Sequence, residues 1–216
     1  TINQCWLNGK ILANEDGKIG SIKKDKSSNA LNWVWHDSIG YFFPEKENVS
    51  ISATSQSGNW NKINRSYSKD EISGNVFKMW VNQSIQPADG HYSYITVPGI
   101  SSDEMKTYDK NEIVFLSNSH SIQAVAHTGL NIIQAVFYQP GIIDAMDIDI
   151  SVDKPCIVLL KREADSISIS IADPTHKMKE VVILIESTVK NSEKKLVCKL
   201  PEVHMAGASA HFKIKW

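Results

Sequence analysis

Ser166-Ile167-Ser168-Ile169-Ser170-Ile171 alternates hydroxyl and aliphatic side chains without a break. Successive residues of an extended chain point to opposite faces, so Ile167, Ile169 and Ile171 make one apolar face and the serines make the other. This is the pattern of a strand half buried against a core. Residues 211–216 repeat it, with Phe212, Ile214 and Trp216 inward and Lys213 and Lys215 outward. Val49, Ile51 and Ala53 supply a third, shorter case. Residues 76–81, 113–116, 132–138, 156–160 and 181–185 are apolar on both faces, which suits inner strands of a layered sandwich.

Turn signals fall between these runs. Asp16-Gly17 follows the run 7–12 and precedes a polar segment, a hairpin signal. Pro98-Gly99 ends the strand 92–97, Pro140-Gly141 ends 132–138, and Asp173-Pro174 ends the Ser/Ile strand. No long stretch carries a 3.6-residue apolar stripe, and residues 103–112 read as a connector with room for one short helical turn. The fold class is therefore all-β, an antiparallel β-sandwich architecture with roughly a dozen or more strands. The polar run Ser101-Ser102-Asp103-Glu104 places a boundary there, giving one β unit over residues 1–105 and a second over 106–216.

Composition narrows the function classes. The 216 residues carry 23 Lys and Arg against 24 Asp and Glu, a net charge of -1. That balance lacks the basic footprint of a general nucleic-acid or anionic-membrane binder. No apolar run approaches the ~20 residues of a helical membrane span. Cys5, Cys156 and Cys198 are odd in number and far apart, which argues against a disulfide framework and against a cysteine zinc site. The chain opens on Thr1 with strand pattern already running at Ile2, Cys5, Trp6 and Leu7, and reads as a mature fragment or a piece of a longer polypeptide.

Three stretches of the first half go further. Trp33-Val34-Trp35-His36-Asp37-Ser38-Ile39-Gly40-Tyr41-Phe42-Phe43-Pro44 resembles the W-x-x-H-D-x-I-G-Y-x-F-P stretch of polysaccharide lyase family 8. Gln56-Ser57-Gly58-Asn59-Trp60-Asn61-Lys62-Ile63-Asn64 is similar to its Q-x-G-x-W-x-x-I-N, and Tyr92-Ser93-Tyr94-Ile95-Thr96-Val97-Pro98-Gly99 to its Y-x-Y-x-x-x-P-G. The three occur in the family's order. In the second half, residues 121–125, the run to Phe137, and Ile171-Ala172-Asp173-Pro174-Thr175 resemble the family's small C-terminal β domain.

The resemblance implies the end of the central lyase β-sandwich over residues 1–105 and the C-terminal β domain over 106–216. It implies a bacterial, extracellular or periplasmic protein that cleaves acidic, uronic-acid-containing polysaccharide by β-elimination. The family's catalytic Asn, His, Tyr and Arg belong to an N-terminal helical domain, with a supporting Glu early in the central sheet. No catalytic residue is therefore carried onto this chain. Its implied partners are the acidic polysaccharide and the upstream helical and β segments of the same lyase. The other function class left open is a stand-alone carbohydrate-binding or structural β module.

The residues themselves offer several candidates. Trp60 beside Asn61 is the best sugar platform, since an aromatic face takes the C–H face of a sugar ring and amides bind hydroxyls. Packing of Trp60 at a sandwich edge is nevertheless the favoured reading. His91 and Tyr92 make a second substrate-binding candidate, although packing of Tyr92 and Tyr94 on one strand face is favoured. His36-Asp37 could act as an acid–base pair, but neighbours on a strand diverge, so a structural role at the turn before Ile39-Gly40 is favoured. Asp144, Asp147, Asp149 and Asp153 form an acidic cluster in which Asp147 and Asp149 share a face. Calcium is the cation such oxygens would take, although a solvated face is favoured, and no cofactor or metal site is otherwise expected. His120, His127, His176, His204 and His211 lack metal-ligand spacing, and no G-x-S-x-G elbow is present.

Overall fold

The computed structural model describes every residue except Asp89, Thr188, Lys190 and Trp216, so the inward turn expected of Trp216 lies outside the described residues. The chain forms two compact units, Thr1–Lys110 and Asn111–Trp216. The division falls inside the connector 103–112.

The first unit contains β1 (Asn3–Trp6), β2 (Ile11–Glu15), β3 (Lys18–Ile22), β4 (Lys26–Ser28), β5 (Leu31–His36), β6 (Ile39–Phe42), β7 (Val49–Gly58), β8 (Ile72–Val81) and β9 (Ile95–Pro98). They make a four-stranded sheet, β1-β8-β7-β4, and a five-stranded sheet, β3-β2-β5-β6-β9. Both sheets feed one core, with Ile11, Val34 and Tyr41 from one and Val49, Phe77 and Met79 from the other. Asp16 and Gly17 close the β2–β3 hairpin with φ of 46° and 85°. A turn with two left-handed residues matches the twist of the paired strands, which is why this dipeptide marks hairpins.

The second unit contains β10 (Ile113–Asn118), β11 (Ile122–His127), β12 (Ile132–Phe137), β13 (Gly141–Ala145), β14 (Ile148–Val152), β15 (Cys156–Arg162), β16 (Ser166–Ala172), β17 (Glu180–Ser187), β18 (Ser192–Lys199) and β19 (Ala210–Lys215). A six-stranded sheet, β10-β11-β12-β15-β16-β19, and a four-stranded sheet, β13-β14-β17-β18, enclose an aliphatic core. Ile167, Ile169 and Ile171 are all buried in it, as the alternation requires. Every strand pairing is antiparallel among the described residues.

One expectation needs correction. The strands read as apolar on both faces do not bury both: β15 buries Cys156, Val158 and Leu160 while Ile157 is exposed, and in β10 Val114 and Phe115 are exposed. A two-layer sandwich covers one face of each sheet. Burial on both faces occurs instead in β5 and β6, where Trp33 and Phe42 on the outer face are also buried. The cover comes from the connector, in which short 3-10 turns span Glu104–Lys106 and Lys110–Glu112. Met105 is buried, Tyr108 stacks on Phe42 at 4.9 Å, and Trp35 Nε1 donates to the Ile100 carbonyl at 2.8 Å. Gly40 permits this approach, since a Cβ there would collide with the Met105 sulfur. The connector is thus a packed strap on the five-stranded sheet.

Candidate functional site

The long hairpin β7–β8 ends at the pair Gly58–Ile72, and residues 59–71 form the loop beyond it. Asn59 starts a 3-10 turn over Trp60–Lys62, its Oδ1 accepting the Lys62 N–H at 3.2 Å. Asn61 Nδ2 donates to the carbonyls of Arg65 at 3.0 Å and Tyr67 at 3.1 Å. The Asn64 side chain accepts the Ser66 N–H at 3.0 Å. The three asparagines therefore stiffen the loop from within. On this frame Trp60 is 55% exposed and Tyr67 60% exposed. The favoured packing reading of Trp60 as a buried plug of the sandwich edge is not met, because more than half of the residue is exposed. Asn61 is in place beside it, but its amide nitrogen holds the loop.

His91 and Tyr92 lie elsewhere. The strand expected over 92–97 begins only at Ile95, because the Ser93 N–H donates at 3.0 Å to the buried Glu47 carboxylate rather than to a strand neighbour. The His91 carbonyl accepts from Gln83 Nε2 at 2.6 Å. Tyr92 is exposed, and its ring stacks on half-buried Tyr94 with centroids 6.2 Å apart. Glu47 precedes the first residue of β7, whereas Trp60 follows the last. Ten extended residues span about 30 Å, so the two substrate-binding candidates sit at opposite ends of the hairpin. They are two places and not one site.

His36 and Asp37 part company as their positions on the strand require. His36 is 1% exposed, stacks on Phe77 at 4.4 Å, and its Nε2 accepts the Asn8 N–H at 3.1 Å. Nδ1 lies 3.8 Å from Cys5 Sγ. Burial pushes the His36 pKa down, against smaller opposing effects of Asp37 and the Asn8 contact. Asp37 forms the β5–β6 turn with Ser38, both at positive φ, and accepts from Asn8 Nδ2 at 2.9 Å. Both residues thus clasp Asn8 in the β1–β2 turn. A neutral, enclosed imidazole with its acceptor in use has no free basic nitrogen for a substrate proton.

The acidic cluster also disperses. Asp144 and Asp149 face each other across β13–β14, but Asp147 belongs to the turn with φ of 66°, which corrects the shared strand face. Asp153 Oδ1 accepts the Val182 N–H at 2.7 Å. Among the described residues no three His, Cys, Asp or Glu side chains converge as metal ligands. The cysteines are free, and burial raises Cys156 to about 12 and Cys198 to about 11, which keeps both thiols protonated and inert. Ser170 Oγ and His211 Nδ1 are 2.8 Å apart only because they are cross-strand partners in β16–β19.

Residues 1–109 match the super-sandwich domain of polysaccharide lyase family 8, and residues 115–182 match that family's C-terminal beta-sandwich domain. The chain belongs to polysaccharide lyase family 8. It is 40% identical over 216 residues to the chondroitinase AC of Pedobacter heparinus, covering 99% of this chain and 31% of the relative. A hyaluronate lyase of Thermasporomyces composti is 29% identical over 137 residues, 62% of this chain and 17% of that protein. A chondroitinase AC lyase solved as enzyme–oligosaccharide complexes superposes with a TM-score of 0.89 at 38% identity, covering 98% of this chain and 32% of that one. The chain thus spans about a third of the length of that chondroitinase relative, or less for the hyaluronate lyase.

The family 8 motifs now have physical content. The first is β5, its turn and β6, with Trp33, His36, Tyr41, Phe42 and Phe43 buried and Gly40 under the strap. The second is the stiffened Trp60 loop. The third carries the Ser93–Glu47 contact into β9. The lesser-read Asp173 anchors the second unit: its buried carboxylate accepts from the Thr175 N–H and hydroxyl at 2.7 and 2.6 Å, and from the Lys177 and Met178 N–H groups at 2.7 Å each. Burial alone would raise this carboxyl, but these hydrogen bonds outweigh it and hold the pKa at about 2. The Asp-Pro-Thr sequence marked this place as a strand end, and only the fold showed the enclosed carboxylate.

Proposed function

We propose that this chain is the C-terminal β portion of a bacterial, extracellular or periplasmic polysaccharide lyase that cleaves uronic-acid-containing glycans such as chondroitin or hyaluronan by β-elimination. The observation that carries this reading is the 40% identity to a chondroitinase AC across 99% of the chain. β-Elimination beside a uronate needs a base for the C5 proton and donors that neutralise the carboxylate as charge develops. His36, the most enclosed imidazole here, is spent on Asn8. The chemistry is therefore assigned to upstream segments of the same polypeptide, and this chain supplies scaffold and cleft wall. Trp60 is its sugar platform, and the exposed His91–Tyr92 segment a second, separate contact.

The test is the ultraviolet absorbance of the unsaturated uronate product. The longer polypeptide should form product from chondroitin, hyaluronan or another acidic polysaccharide, and the 216-residue chain alone should not. Positioning can be worth ~7–11 kcal/mol, so part of a cleft gives far less than part of the rate. Product from the short chain would overturn the assignment of catalysis upstream. A longer polypeptide inactive on every acidic glycan would leave the binding-module reading standing.

A further inference from the structure

Residues 18–26 carry Lys18, Lys23, Lys24 and Lys26 against a single Asp25, in a chain whose net charge is -1. This concentration of charge has a shape around it. β3 is the end strand of its sheet, and four of its five residues are exposed. The chain then crosses to β4, the end strand of the other sheet. The crossing encloses an open concavity of about 480 Å³, lined by this segment with Ala13 and Glu15. Ligand clefts fall in the range of about 300–1,000 Å³.

The charges around it do not cancel. Lys26 Nζ donates to Glu15 Oε2 at 2.5 Å, and the Ser28 hydroxyl donates to the other Glu15 oxygen at 2.5 Å, so that carboxylate is occupied. The Lys26 and Ser28 hydrogen bonds hold Glu15 below the usual carboxylate range. Asp25 Oδ1 faces the Ala53 N–H at 3.4 Å. Lys18, Lys23 and Lys24 take part in none of the ion pairs found among the described residues. Lysine on an edge strand protects against pairing with another chain, and that accounts for Lys18. It does not account for Lys23 and Lys24, which lie past the end of β3 on the crossing itself. Four lysines against Glu15 and Asp25 leave the lining with a net charge of +2, and an anion placed there relieves that excess. Ile19, exposed in the lining, adds an apolar surface that suits the C–H face of a sugar ring.

We propose that the β3–β4 concavity binds acidic oligosaccharide, with Lys18, Lys23 and Lys24 holding carboxylate or sulfate groups of consecutive sugars. The choice of a glycan as the anion rests on the lyase reading above. The β7–β8 loop offers exposed aromatics, whereas this site offers concavity and a net positive charge together.

The test titrates the 216-residue chain with chondroitin sulfate tetrasaccharide, hyaluronan tetrasaccharide and uncharged chitotetraose. Both acidic sugars should bind, more weakly as salt rises toward about 0.3 M, and chitotetraose should not. Lys18→Ala/Lys23→Ala/Lys24→Ala should weaken acidic-sugar binding about tenfold or more without lowering Tm. The matched triple Lys177→Ala/Lys195→Ala/Lys199→Ala, on exposed residues of the second unit, should leave it unchanged. Equal losses in the two triples, or none in the first, would overturn the proposal. A lyase-active longer polypeptide whose β3–β4 lysines bind nothing defeats this inference alone. Lysine-dependent binding by a chain whose longer form has no lyase activity defeats the lyase reading alone.

Discussion

Thr1–Lys110 holds thirteen of the eighteen Phe, Trp and Tyr residues, whereas Asn111–Trp216 fills its core with isoleucine and valine. The first unit also encloses His36, Glu47, Ser50 and Ser93, and it exposes Trp6, Trp60, Tyr67 and Tyr92. Among its described residues the second encloses one charged side chain, Asp173, together with Ser166 and Ser187. An aliphatic core of alternating strands is specified by pattern and shape alone. A core containing imidazole and carboxylate must satisfy them from particular partners, here Asn8 for His36 and Ser93 for Glu47, and both partners sit on loops. The first unit is thus tied together through the turns that could meet a ligand. The second is tied together through its strands and one carboxylate.

The largest effect that would break this contrast is expected at Asp173. In Asp173→Asn an amide nitrogen faces N–H groups that now point at a carboxylate oxygen, and a buried donor left unsatisfied costs about 1–3 kcal/mol. With two such donors on one oxygen, a loss of roughly 3 kcal/mol is expected in denaturant unfolding, read through Cys156 and Cys198 labelling in the second unit. In the wild type the folded pKa of about 2 lies below the unfolded value of about 3.8. The Asp173 contribution is therefore full above that unfolded value and is lost as pH falls toward 2. A substitution that leaves stability unchanged would mean that the aliphatic core holds the second unit without its anchor.

A smaller effect, at milder pH, belongs to the first unit. Burial lowers the folded pKa of His36, so its stabilisation is complete above the unfolded value of about 6.5 and declines as pH falls below it. One proton sets an upper limit of about 1.4 kcal/mol per pH unit on this slope. Tm measured from pH 7 to pH 5 should fall in the wild type, and His36→Gln should flatten that fall. If the slope survives the substitution, the acid sensitivity comes from another group.

The smallest effect is expected at Trp60. Trp60→Ala should change stability by no more than about 0.5 kcal/mol, as for other exposed sites, while weakening acidic-oligosaccharide binding. A loss of ~3–5 kcal/mol would instead mark a packed core tryptophan and erase the distinction between enclosed and displayed aromatics.

The same contrast explains what could be read in advance. The Ser/Ile alternation of β16 and the Asp16-Gly17 hairpin are local, and both formed as their residues demand. The three linked motifs carried the family, because side chains at fixed spacing survive as a pattern. The start of β9 was misplaced because Tyr92 and Tyr94 alternate like strand residues, while the Ser93 N–H goes to Glu47, 46 residues earlier. The site candidates Trp60 and Tyr92 are both displayed at the surface. Their separation along β7 depends on the pairing of β7 with β8 and on Glu47. The lysines of residues 18–26 carry no signal in the sequence, because a concavity between two sheet edges has no sequence period.

What the sequence determined by itself is the strand periodicity, the hairpin turns and the membership of family 8, since each depends on residues near one another in the chain. Only the tertiary structure decided which faces are covered and which aromatics are displayed. A period of two states which side chains share a face, but the cover arrives from distant segments. The strap of Ile100, Met105 and Tyr108 over Gly40 and Phe42 buries the outer face of β5 and β6, while nothing comparable encloses the ring of Trp60.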